Sequence, residues 1–235
     1  MNPAGCSTGA RPPDTEAAGF ILAGGQSSRM GQDKALLLFA GQPLVAHALS
    51  IFSRAGIAAS IAGARSSART ALEVFAPVVE DAEPGLGPLA GICAALASTS
   101  ARYAVFLPVD LPLLPSALIT YLIHHAGITG QAVTVPSVAG FDQTFPVVLD
   151  SAVLPTLKAT LKASRDGKSS GCFSAFNAAA ASLGQSVNRV AVELLAQSGQ
   201  VTHPLGLPPV RWFLNLNTPG DVAQAEALAS GCLHR

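Results

Sequence analysis

Short apolar runs alternate with helix-spaced apolar positions along most of the chain. Residues 19–22 (Gly-Phe-Ile-Leu) carry no polar interruption and predict a strand buried on both faces. Over 43–55, Leu44, Ala48, Leu49 and Phe52 share one face and Pro43 suits a first turn, which predicts a helix. A short strand follows over 57–62, and Val78-Val79 leads into Glu80-Asp81 as another strand end. The loop Pro84-Gly-Leu-Gly-Pro88 opens a predicted helix over 88–98. Residues 103–109 form the strongest buried-strand pattern, and 115–125 the helix after it. Beyond Gly130 the pattern predicts strands over 132–136 and 144–149, joined as a hairpin around Ala139-Gly-Phe-Asp142. Helices are predicted over 153–163, 174–183 and 188–197, with a polar, glycine-containing mobile loop over 165–171. A strand over 212–216 and a closing helix over 219–229, capped by Thr218, complete the series.

Strands separated by helices imply an α/β protein: a Rossmann-like, three-layer α/β/α architecture with a mostly parallel, twisted sheet covered on both faces. Ligands in such sheets bind outside the carboxyl ends of the strands. Three polar sites fall there: residues 23–34, Asp81 and Asp110.

Composition narrows the picture. The 235 residues suit one domain over 19–235, with 1–18 as a disordered lead-in that lacks a continuous apolar stretch. At 49% hydrophobic and 12% charged, the chain can bury a large core. The net charge of zero argues against a nucleic-acid partner and fits a monomer or weak homo-oligomer. No apolar run approaches the roughly 18–20 residues of a membrane span, so no membrane partner is expected. Cys6, Cys93, Cys172 and Cys232 form no C-x-x-C pair, which fits a reducing cytoplasm. His124-His125 reads as the solvated end of a helix rather than a metal site.

The chemistry concentrates at the first strand's end. The strand breaks at Ala23-Gly24-Gly25 into a loop ending in two cations, Arg29 and Lys34, separated by Gly31. Glycines let backbone N–H groups approach a phosphate or base edge, and the cations can neutralise a polyphosphate. Gln32 follows Gly31, so the loop is neither a P-loop nor a G-x-G-x-x-G fingerprint. Asp110 follows the buried strand and is the first choice of ligand for Mg²⁺, which takes one or two carboxylates plus substrate phosphates.

The pattern Leu22-Ala-Gly-Gly-x-x-x-Arg29-Met-Gly31-x-x-Lys34 resembles the signature loop of the nucleotidyltransferases, and within them most closely the molybdenum cofactor guanylyltransferases. Asp110-Leu-Pro112 resembles their magnesium-site Asp-x-Pro, with Val109 where relatives often carry cysteine. Gly87-Pro-Leu-Ala-Gly91 resembles the second signature, and Asn215-Leu-Asn-Thr-Pro219 the third. Relatives commonly place an asparagine at the second strand's end, where Ala62-Gly-Ala64 offers only backbone.

The resemblance implies transfer of GMP from GTP to molybdenum-molybdopterin. Catalysis would fall to Arg29, Lys34 and Asp110, and nucleotide binding to Leu22, Ala23, Gly24, Gly25, Lys34, Asp81, Gly87 and Asp110. Mg²⁺ would sit on Asp110 and Asn217. It implies a nucleotide-binding half over 19–130 and a molybdopterin-binding half over 131–235, with Asp142 and Gln143 facing the pterin. Molybdoenzyme apoproteins or their chaperones are the implied further partners. Two alternatives stay open: a cytidylyl- or sugar-nucleotidyltransferase, and a nucleotide-binding relative without catalysis.

Overall fold

A computed structural model describes residues 17–23, 33–81, 86–165 and 171–231. Along the chain lie β1 (Ala17–Leu22), β2 (Leu38–Phe39), β3 (Gln42–Pro43), α1 (Leu44–Arg54), β4 (Ala59–Ala62), α2 (Arg69–Glu73), α3 (Pro88–Ser98), β5 (Tyr103–Pro108) and α4 (Ser116–Thr129). Then come β6 (Val133–Val138), β7 (Phe141–Asp142), β8 (Val147–Asp150), α5 (Leu154–Arg165), α6 (Cys172–Ser182), β9 (Asn188–Ala191), α7 (Val192–Gln197), α8 (Pro209–Trp212) and α9 (Pro219–Ala229). The main sheet runs β4-β1-β5-β8-β6, with β7 and β9 also paired to β6. β1, β4 and β5 are parallel, as are β6 and β9, while β7 and β8 run antiparallel to their neighbours. The expected hairpin around 139–142 is present in the antiparallel pairing of β7 and β8 with β6.

The period-2 alternation of the strands splits the core in two. Ile21, Tyr103, Val105, Leu107 and Val148 pack on one face with Phe52, Leu118, Leu122 and Trp212. Phe20, Leu22, Ala104, Phe106, Val147 and Leu149 pack on the other with Ile92, Leu96, Leu157 and Phe176. Burial on both faces is why these strands read as uninterrupted apolar runs. Gly19 is required where β1 passes α1: a Cβ there would lie 2.8 Å from the Phe52 ring. Gly91 is required for a similar reason, since a Cβ would stand 2.9 Å from Gly63 Cα, where α3 abuts the end of β4.

Five sequence expectations need correction. β1 begins at Ala17, inside the expected lead-in, because Ala17 and Ala18 pair with Tyr103 and Ala104. Val78 forms only an isolated bridge to Ile61. The helix predicted over 188–197 is a strand, β9, running directly into α7; Asn188 to Ala191 pair with β6 and take their conformation from that neighbour. The strand predicted over 212–216 is absent. Pro208 and Pro209 start the single turn α8, and the buried Trp212 indole donates to Leu207 O at 2.7 Å, so this apolar run packs without a sheet partner. The α4 helix also outlasts its expected end, stopping at Gly130 in the left-handed region, φ 64°. His125 stacks on Tyr121 within it. The mobile loop expected over 165–171 falls mostly outside the described residues.

Candidate active site

The carboxyl ends of β1 and β5 lie side by side. Val109 N donates to Leu22 O at 3.3 Å, and Ala23 N donates to Ala62 O at 3.0 Å, so this edge is tied across three strands. Asp110 emerges from it. Its carbonyl accepts from Leu216 N at 3.1 Å, which draws the chain before α9 back to the strand ends. That segment is held from its other side by a reciprocal cap. Thr218 Oγ1 accepts from Asp221 N at 3.2 Å, while the Asp221 carboxylate accepts from Asn217 N at 2.9 Å and Thr218 N at 2.7 Å. Those backbone donors, first that of Asn217, hold the Asp221 carboxyl below the usual carboxylate range.

Three sequence-predicted residues meet here from distant parts of the chain. Lys34 opens a 3₁₀ turn over Lys34–Leu36, capped by Asp33, whose side chain accepts from Ala35 N at 3.0 Å. The Lys34 ammonium donates to Asp110 Oδ2 at 2.7 Å and to Asn217 Oδ1 at 2.6 Å. The Lys34 and Asp110 side chains are only 16% and 19% exposed, so solvent screens the pair less than it would on the surface. Asp110 Oδ1 is buried and has no hydrogen-bond partner among the described residues.

A cleft of about 380 Å³ opens beside this cluster. Leu22, Pro88, Asp110 and Leu111 line it together with Asp142, Gln143, Thr144 and Phe145 and with Phe213 and Asn215 from the segment before α9. Pro88 is the first residue of α3, and Gly87 before it holds φ 75°, a conformation glycine takes without strain. Asp142 is braced from outside the cleft: Arg189 Nε lies 2.9 Å from both carboxylate oxygens, while Arg189 NH1 donates to Val187 O at 3.2 Å. On the opposite flank, His203 Nε2 donates to Leu113 O at 2.8 Å and its Nδ1 accepts from Leu205 N at 3.0 Å, which fixes the neutral tautomer. Burial lowers its pKa.

Of the expected site residues, Leu22, Lys34, Asp110 and Asn217 come together, and Asp142 and Gln143 line the same cleft. Ala23 is buried at the same strand end. Asp81 stands three residues past the Val78 bridge, by the β4 edge, and is not part of the cleft lining. Gly24, Gly25 and Arg29 lie outside the described residues. Phe145, Phe213, Asn215 and Arg189 were not named as site residues from the sequence. Asn215 carried a signal in the Asn-x-Asn segment and Phe145 as an aromatic flanking Asp142-Gln143; Phe213 and Arg189 are defined by tertiary contacts.

Among the described residues no three His, Cys, Asp or Glu side chains cluster as a metal cage. One carboxylate with a buried, unpartnered oxygen and one amide oxygen nearby suit Mg²⁺, which relies on substrate oxygens and water for the rest of its shell. The donor set therefore fits such an ion.

Comparison with known proteins identifies relatives of the chain. The family model described as MobA-like NTP transferase domain matches residues 19–180. The chain is 40% identical over 107 residues to a molybdenum cofactor guanylyltransferase of Xanthomonas euvesicatoria, a match covering 45% of this chain and about half (52%) of that protein. It is 33% identical over 214 residues to the molybdenum cofactor guanylyltransferase of Rhodobacter capsulatus, covering 89% of this chain and 94% of that one. The crystal structure of molybdopterin-guanine dinucleotide biosynthesis protein A from Archaeoglobus fulgidus superimposes with a TM-score of 0.72 at 19% identity, over 91% of this chain and 99% of the other, and so shares the fold. With a family model matching from β1 into α6 and a near full-length relative above 30% identity, the chain belongs to the MobA-like NTP transferase family.

Proposed function

We propose that this protein transfers GMP from GTP to molybdenum-molybdopterin, forming molybdopterin guanine dinucleotide and releasing diphosphate. The observation that carries the reading is the meeting of Lys34, Asp110 and Asn217 at the edge of one cleft. In this reaction a terminal phosphate oxygen of the pterin substrate bonds to the α-phosphorus of GTP as the bond to the β-phosphate oxygen breaks. The attacking phosphate is already ionised, so no general base is needed, and catalysis is alignment plus charge neutralisation.

Each residue then has a physical task. Asp110 and Asn217 would hold Mg²⁺. When bound, a divalent ion supplies positive charge and a fixed geometry at phosphate oxygens. Lys34 and Arg29 would neutralise the departing diphosphate, and backbone N–H groups of Gly24 and Gly25 would add donors. The turn at Gly87 and the start of α3 face the nucleotide with free N–H groups. Asp81 accepts from the guanine edge or a ribose hydroxyl. The cleft wall formed by Asp142, Gln143, Thr144, Phe145 and Phe213 takes the pterin, with aromatic faces for its rings and polar groups for its edge. Among the described residues no helix is long and apolar enough to cross a membrane. We place the protein in the cytoplasm, handing its product to molybdoenzyme apoproteins or their chaperones.

Incubation with α-labelled GTP or CTP, Mg²⁺ and molybdenum-molybdopterin tests this directly. Label should enter the pterin product from GTP, at least about tenfold faster than from CTP, a discrimination of about 1.4 kcal/mol. Transfer from CTP alone would move the protein to the cytidylyl branch, and transfer from neither would overturn the reading.

A further inference from the structure

We propose that Lys34 is a resident cation that keeps the divalent-metal position closed until a nucleotide arrives, so that metal and nucleotide enter as a coupled pair. The proposal rests on the assignment of Mg²⁺ to Asp110 and Asn217 made above. Those two side chains are the ones the Lys34 ammonium occupies, at 2.7 Å to Asp110 Oδ2 and 2.6 Å to Asn217 Oδ1. The carboxylate contact sits at the short end of the charge-assisted range and the amide contact is shorter still. An ion bridging Asp110 Oδ2 and Asn217 Oδ1 at about 2.0–2.1 Å would need the space that the ammonium nitrogen fills between them. Joining both side chains to one metal therefore requires Lys34 to leave.

The occupancy is incomplete. Asp110 Oδ1 stays buried and without a partner among the described residues, so the ammonium neutralises the carboxylate while leaving one oxygen unsatisfied. A partial occupant of this kind is displaceable. Lys34 also has somewhere to go. It stands three residues after Gly31, at the end of the glycine loop, on a flexible four-carbon stem with three rotatable donors. An incoming polyphosphate offers it more negative charge than one carboxylate and one amide. The swing releases both oxygens as the phosphates bring the remaining metal ligands.

The thermodynamic consequence is definite. Metal binding to the free protein must first break two ammonium contacts, whereas in the nucleotide complex they are already broken. Nucleotide thus raises metal affinity, and metal raises nucleotide affinity by the same factor. Deleting the ammonium should raise metal affinity in the absence of nucleotide, although a cation is removed from a nucleotide site.

Titration of the full chain with Mn²⁺, read by electron paramagnetic resonance without nucleotide, tests this on wild type, Lys34→Met, Lys34→Arg and Lys34→Met/Asp110→Asn. Lys34→Met should bind Mn²⁺ on the order of tenfold more tightly than wild type. Lys34→Arg should stay near wild type, and the double variant should lose the gain. GTP should tighten Mn²⁺ in wild type, by a factor that shrinks about tenfold in Lys34→Met. Mn²⁺ affinity in a folded Lys34→Met that is no higher than wild type would overturn the proposal. Should that variant fail to fold, ¹⁵N-lysine NMR of wild type serves instead. The Lys34 Nζ signal should shift on adding metal-free GTP, and a signal unmoved by saturating GTP would overturn the proposal. The nucleotide-free Mn²⁺ comparison reads Lys34 even if GTP is not the substrate, so the two readings can fail separately.

Discussion

Two ion pairs flank the cleft, and they are built differently. On the β1–β5 side, Lys34 and Asp110 come from positions 76 residues apart, and Asn217 joins from 183 residues beyond Lys34. On the other side, Arg189 of β9 meets Asp142 of β7 across the central strand β6. The second pair is complete: one guanidinium nitrogen lies 2.9 Å from each carboxylate oxygen, and another donates to Val187 O. The first is unfinished, with a buried carboxylate oxygen left over among the described residues. It is also the less exposed, at 16% and 19% against 48% for Arg189 and 24% for Asp142. A buried group left short of partners costs stability, and such costs persist where a ligand completes the site. In the proposed function, incomplete bonding falls where the chemistry would occur, and complete bonding falls on the brace of the cleft wall.

Removing the unfinished partner should have the largest effect. Asp110→Ala is expected to lower kcat/KM for guanylyl transfer on the order of 10³-fold, about 4 kcal/mol of transition-state stabilisation, with the thermal midpoint little changed. Steady-state kinetics alongside a melting curve reads both, and a loss under about tenfold would erase the distinction between the pairs. Cutting the complete pair should act through shape alone. Arg189→Met keeps the apolar stem and frees Asp142, so KM for the pterin substrate should rise by roughly three- to tenfold while kcat and GTP affinity hold. A fall in kcat as large as that of Asp110→Ala would make Arg189 part of the chemistry.

The smallest effect is a pH dependence on the flank that delivers Asn217. His203 ties this segment to Leu113, three residues past Asp110, through a neutral ring whose Nδ1 must accept from Leu205 N. Its folded pKa lies below the unfolded value near 6.5, so the unfolded chain binds the proton more readily. The stabilisation is present above about pH 6.5 and is lost as pH falls through the folded pKa. The urea midpoint should drop between pH 7.5 and 5.5, with a shallower drop in His203→Gln. Equal slopes in the two proteins would remove His203 from the account.

What the sequence revealed follows the same division. β1 and β5 were legible because both faces are buried, leaving apolar runs with no polar residue to blur them. Leu22 and Asp110 were legible at the ends of apolar strands, Lys34 as a cation closing the glycine loop, and Asn217 through the resemblance of Asn215-Leu-Asn-Thr-Pro219. β9 was not, because a four-residue strand containing Asn188 and Arg189 has no clean alternation and passes at once into α7. The run Trp212-Phe213-Leu214 imitates a strand, yet its burial comes from packing against α7 and the helical face of the core rather than from a sheet. The pairing of Arg189 with Asp142 depends on the β7-β6-β9 order, which no local pattern encodes.

Under the proposed function, Asp110 would make this cleft a divalent-metal-dependent guanine nucleotide site. Calorimetry with GTP, CTP, ATP and UTP, with and without Mg²⁺, on wild type and Asp110→Ala tests it most directly. Wild type should bind GTP selectively and more tightly with Mg²⁺, and the variant should lose that response. GTP binding with the same Mg²⁺ response in both proteins, or no preference among the four nucleotides, would contradict it.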